Sequence, residues 1–112
     1  MSQHSGQDEL RGEVSDLSGL VAYQEGAIVS RIVLRAPAGS VTLFAFDAGQ
    51  ELSEHTTPFD ALVHVIEGEA EIIISGRSHS VREGQVIIMP ADEPHAVKAP
   101  RRFKMMLTMI RA

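Results

Sequence analysis

Five histidines and no cysteine define the chemistry open to this chain. Without thiols there are no disulfides, thiolate nucleophiles, iron–sulfur clusters or cysteine-based zinc sites. A metal would have to be held by imidazole or carboxylate. His55 opens the informative part of SEHTTPFDALVHVIEGEAE, residues 53–71. A histidine two residues further on would make this half of a metal site. Thr57 stands there instead, and its hydroxyl stays protonated near neutral pH, which makes it a poor ligand. His95 follows the turn Pro90-Ala91-Asp92-Glu93-Pro94. Each imidazole can offer one nitrogen lone pair to a first-row metal, or act as a general base. His79, in SGRSHSVREG, sits near a hairpin turn and is expected to face solvent. His4 lies in a polar N-terminal stretch and reads as a solvated tail histidine.

These groups must be positioned by a small scaffold. The chain has 112 residues, enough for one domain with a single core. Hydrophobic residues make up 44% and charged residues 22%, ordinary for a globular protein. The formal net charge of −5, with 10 Lys+Arg against 15 Asp+Glu, argues against nucleic acid as a partner. No apolar run approaches the roughly 20 residues needed to cross a bilayer, so no membrane association is expected. The first dozen residues lack an apolar signal segment, and the expected location is cytoplasmic.

Residues 1–13 read as a flexible polar tail and 14–112 as one domain. Leu17, Leu20 and Val21 sit at helical spacing behind a Ser/Asp cap candidate, hemmed in by Gly19 and Gly26, which predicts a short helical turn. Everything after Gly26 reads as strand: 27–35, 40–46, 61–67, 69–75, 79–82, 85–89, 95–98 and 103–110. Turn signals recur between them, and no room is left for crossover helices. The pattern predicts an all-β sandwich or barrel. VIIM and MMLTMI are apolar on both faces, which predicts a second covering layer and hence a homodimer. Phe44, Phe46 and Phe103, and Met89, Met105, Met106 and Met109, read as core or interface packing. Glu69 and Glu71 share a solvated strand face.

At two spaced motifs the chain resembles the cupin family. The family's first motif is G-x5-H-x-H-x(3,4)-E-x6-G. Here the spacing runs Gly49, five residues, His55, one residue, Thr57, three residues, Ala61, six residues, Gly68. The second motif is G-x5-P-x-G-x2-H-x3-N. Here it runs Gly84, five residues, Pro90, one residue, Asp92, two residues, His95, three residues, Ala99. Spacing is kept throughout. Four identities are lost: the second histidine (Thr57), the carboxylate (Ala61), the inner glycine (Asp92) and the asparagine (Ala99).

The resemblance implies a double-stranded β-helix, a small jelly-roll barrel, and a homodimeric assembly; the short helical turn read from residues 17–21 lies ahead of the barrel. More narrowly, the chain resembles small single-domain bacterial cupins. The family's metal is held by three histidines and a glutamate. Carried over by position, only His55 and His95 remain as metal ligands. The residues require no cofactor, and the resemblance leaves open a divalent metal such as zinc, iron, manganese or nickel. Glu54, Asp60 and His64 are the candidate substitutes. If Ala61 points inward, alternation sends Val63 and Val65 inward and Asp60, Leu62, His64 and Ile66 outward. The expected site is therefore a small-molecule pocket around His55 and His95, lined by Thr57, Ala61 and Val63. The alternative is a metal-dependent cupin enzyme, of dioxygenase or isomerase type, with a reduced ligand set. A structural dimer module that binds a protein is a third class, supported only by the doubly apolar strands.

Overall fold

The computed structural model describes residues 10–112. His4 lies outside the described residues. Among the described residues, nine strands follow one short 3-10 turn, Leu17–Leu20: β1 Ile28–Ala36, β2 Gly39–Phe46, β3 Glu51–His55, β4 Phe59–Glu67, β5 Glu69–Ile74, β6 Arg77–Arg82, β7 Val86–Met89, β8 His95–Lys98 and β9 Phe103–Arg111. All ladders are antiparallel. A five-stranded sheet, β1-β2-β9-β4-β7, faces a four-stranded one, β3-β8-β5-β6. The chain passes between them after β2, β3, β4, β6, β7 and β8. That winding makes the expected double-stranded β-helix.

One strand more is present than the sequence suggested. β3 is Glu-Leu-Ser-Glu-His, with a single apolar residue, and it lacks the β-branched and aromatic content that marks strands. Its burial pattern is almost wholly exposed, so pairing with β8 rather than hydrophobic alternation defines it.

Two-residue periodicity assigns the barrel interior. On the five-stranded sheet Phe46, Ala61, Val63, Val65, Phe103 and Met105 turn inward. On the other sheet Ala70, Ile72, Val81 and Val97 meet them, all buried. Phe46 and Phe103 close one end, with ring centroids 4.5 Å apart. The turn at Gly49, whose N–H donates to the Ala99 carbonyl, lies at that closed end. From there β3 runs towards the opposite end, the mouth, where it delivers His55 and the loop to Phe59.

The outer face of the five-stranded sheet is half covered. Leu20, Val21 and Tyr23 pack over Leu43 and Ala45, with Val29, Val33, Ile66 and Met106 around them. Polar contacts pin this cover. The buried Lys104 ammonium donates to the Ser18 carbonyl at 2.6 Å, and the Tyr23 hydroxyl donates to Glu67 at 2.8 Å. Asp47 accepts from the Gly26 N–H at 2.7 Å and from Arg102 Nε at 2.8 Å. Burial, reinforced by the Glu67 carboxylate, pushes the Tyr23 phenol well above its ordinary pKa, so it remains a donor. A buried ammonium is tolerable only when paired in this way.

Candidate functional site

A bulge brings His55 to the inner face of β3 at the barrel rim. Leu52 pairs with Val97 and His55 with His95. Two β3 residues, Ser53 and Glu54, therefore stand against one β8 residue, Ala96. In a straight strand, residues three apart face opposite sides. The extra residue brings Leu52 and His55 to the same side, which is how bulges re-aim side chains. The two imidazoles then meet at 4.4 Å between centroids, edge to face at 68°.

Backbone carbonyls select the tautomers. His55 Nδ1 lies 2.8 Å from the Ser53 carbonyl and His95 Nδ1 lies 3.1 Å from the Glu93 carbonyl. A carbonyl oxygen only accepts, so each Nδ1 carries the proton. Each Nε2 is left with a free lone pair and, among the described residues, no protein partner. His95 is buried and His55 exposed. Burial holds the His95 pKa below the usual histidine range. The Glu93 carbonyl opposes this, and repulsion from His55 adds to it. His95 is therefore neutral at physiological pH.

A pH dependence follows. The folded state binds the His95 proton less readily than the unfolded chain does. Stability is thus present above the unfolded pKa of about 6.5 and declines as pH falls below it, until the lowered folded pKa is reached. Denaturant melts from pH 8 to pH 5 are expected to show this decline, and His95→Gln is expected to flatten it. An equal slope in wild type and variant would contradict the neutral buried imidazole.

The other anticipated site residues are placed as follows. Thr57 is half buried and turned onto its own loop. Its hydroxyl lies 3.4 Å from both the N–H and the carbonyl of Phe59, and its carbonyl accepts from the Asp92 N–H at 2.8 Å. Asp92 stands where the motif has glycine and keeps glycine's left-handed backbone, at φ 65°. Aspartate tolerates that region better than most residues. Ala61 is buried, opposite Met89 on one side and Met109 on the other. Val63 lies one row deeper, wholly inside the apolar core.

The substitute ligands do not converge. Asp60 Oδ1 accepts from the Ala91 N–H at 3.0 Å, and Glu54 is exposed. His64 sits on the outer face opposite Met106 and Val86. His79 is a correction: it is half buried rather than solvent-facing. It pairs with the fully buried Ile72 and so shares the inner face, because β6 extends further past the hairpin than its apolar content indicated. No group of three or more His, Cys, Asp or Glu side chains that could hold a metal exists among the described residues. Two imidazoles fall short of the three protein ligands of a catalytic zinc site and the four of a structural one. The donor set does not fit a tightly held resident metal.

A family model described as "Cupin domain" matches residues 42–111, which contain both imidazoles and both spaced motifs. The chain belongs to the cupin family. This cupin is similar over its whole length to a conserved protein of unknown function from Streptococcus pyogenes, at 33% identity and a TM-score of 0.89, covering 100% of this chain and 98% of that one. A cupin 2 conserved barrel domain protein from Leptotrichia buccalis is 37% identical with a TM-score of 0.81, over 83% of this chain and 45% of that one. A Streptomyces cyaneus protein named "Polyketide synthase CurC" is 28% identical over 94 residues, which is 79% of this cupin and 61% of that protein.

Proposed function

We propose that this cupin binds a small organic molecule in the mouth of its barrel, with His55 and His95 as its polar anchors. The observation that carries this reading is the pair of free Nε2 lone pairs, both fixed in tautomer and held side by side. Two Nε2 acceptors suit a ligand that presents hydroxyl or N–H donors, and either imidazole could also remove a proton from such a group. A barrel mouth with few convergent polar groups over an apolar floor is a common small-molecule site.

The second reading is a metal-dependent enzyme with a reduced ligand set. It is favoured by the Nδ1–carbonyl clamps, which are also how metal-binding histidines are held. Metal analysis of protein purified without an affinity tag separates the two. Trace metal, unchanged in His55→Ala and His95→Ala, is the expected result. Near-stoichiometric metal, lost in both variants, would overturn the metal-free reading.

We also propose that the protein is a homodimer through the uncovered half of the five-stranded sheet. Val86, Ile88 and Ile110 are 59%, 58% and 57% exposed there, beside Leu62 on the same outer face. Such a contiguous apolar surface is typical of an interface. Light scattering is expected to give twice the chain mass for wild type and the single mass for Ile88→Lys. A wild-type monomer would remove this proposal.

A further inference from the structure

A second bulge, on the edge strand β1, re-aims another side chain. On β1, Ile32 pairs with Thr42 and Leu34 with Val41, so one β1 residue is extra. Arg35 then pairs with Ser40, which pairs with Met109, which pairs with Ala61. Ser40 lies on the same β2 face as Thr42, Phe44 and Phe46. A straight β1 would have put Arg35 on the opposite side from Ile32, on the outer face. The bulge puts it on the inner face of the sheet, exposed at the edge strand, at the end of the cross-strand row that runs through Ser40 and Met109 to Ala61.

There Arg35 meets Arg111. The two line a cavity of about 270 Å³ with Pro37, Ser40, Phe59 and Met109. Phe59 ends the short loop that leaves His55, so the cavity adjoins the histidine end of the barrel. Arg111 is oriented twice: its Nε donates to the Pro37 carbonyl at 3.3 Å, and its guanidinium carbon stands 5.3 Å from the Phe59 ring centroid. Both terminal nitrogens remain unengaged. Among the described residues, neither arginine has an ion-pair partner and no carboxylate lines the cavity. In a chain of net charge −5, these two cations stand together without a carboxylate partner among the described residues.

We propose that this cavity is a carboxylate subsite. It takes the carboxylate of a small organic acid on Arg111 and Arg35, and the acid's apolar body lies on Phe59, Pro37 and Met109. The planar guanidinium fork matches a carboxylate in geometry and charge. The volume lies just under the roughly 300–1,000 Å³ typical of larger ligands, which restricts the occupant to a compact acid. This deepens the reading of the mouth as a ligand site, and rests on it, by naming the ligand's chemical class.

The probes are sodium benzoate and its neutral counterpart benzamide, titrated at fixed ionic strength and followed by amide NMR shifts. Benzoate is expected to move the Ser40, Phe59 and Arg111 signals and to bind about tenfold or more tighter than benzamide. Arg35→Gln and Arg111→Gln should each erase most of that difference, and Arg111→Lys should retain part of it. Thermal melts establish that each variant folds; the exposed Arg35 carries the test if Arg111→Gln does not. Equal affinities for the two probes, benzoate binding unchanged in both glutamine variants, or no response at the cavity would each overturn the subsite. Benzoate binding that survives in the arginine variants but is lost in His55→Ala would sink the subsite and leave the histidine site standing. The reverse pattern would sink the histidine site and leave the subsite.

Discussion

Phe103→Ala is expected to lower the unfolding free energy by about 3–5 kcal/mol. Phe103 has no exposed surface, and its ring packs against Phe46 at the closed end of the barrel. Its backbone also forms the floor under Gly68. Removing the ring loses its transfer free energy and leaves a cavity that two opposed sheets cannot collapse to fill. Urea denaturation monitored by circular dichroism measures the loss, and an unchanged m-value would assign it to the native state. A loss of about 1 kcal/mol or less would show that the closed end repacks, contrary to the rigid plug described here. The site lies at the other end of the barrel. The folded fraction of Phe103→Ala should therefore retain the ligand response of wild type.

Gly68→Ala is expected to cost about 2–4 kcal/mol, from two separate causes. Gly68 makes the crossing from β4 to β5 with φ +80°, a backbone region that L side chains rarely adopt. A methyl group there would also run into the Arg102 carbonyl oxygen and come within 2.9 Å of Phe103 Cα. Backbone cannot move aside as a flexible side chain would. Gly84 is the control: its φ is +83° but nothing lies within 4 Å of the position a Cβ would take. Gly84→Ala should show only the conformational cost, about 1–2 kcal/mol. Equal losses at the two positions would mean that the close approach to Phe103 contributes nothing.

Much of this architecture was legible in the chain itself. Turn residues at Pro37, Gly68, Ser75-Gly76 and Gly84 cut the sequence into segments too short for helices. The alternation in ALVHVIE assigned Val63 and Val65 to the interior and His64 to the outer face. Both assignments depend only on the two-residue period of a regular strand, which the chain carries locally. The motif spacing located His55 and His95 in the same way, because it counts residues between turns. Polar β3 escaped detection, since its strand character comes from a partner 40 or so residues away and not from its own composition.

What the sequence by itself determined is thus the β-class, the inward and outward faces of the regular strands, and the loss of two ligand positions at Thr57 and Ala61. What only the tertiary structure decided is where three polar side chains point. His55 and Arg35 take the inner faces of their strands because bulges in β3 and β1 reverse the parity that counting along a straight strand assigns. His79 turns inward because β6 pairs with β5 in a register set by the whole ladder. The tautomers of the two imidazoles were fixed there as well, by carbonyls whose direction follows from the bulge and the Glu93-Pro94 turn. A bulge is a mismatch between two strands, so neither strand's own sequence contains it.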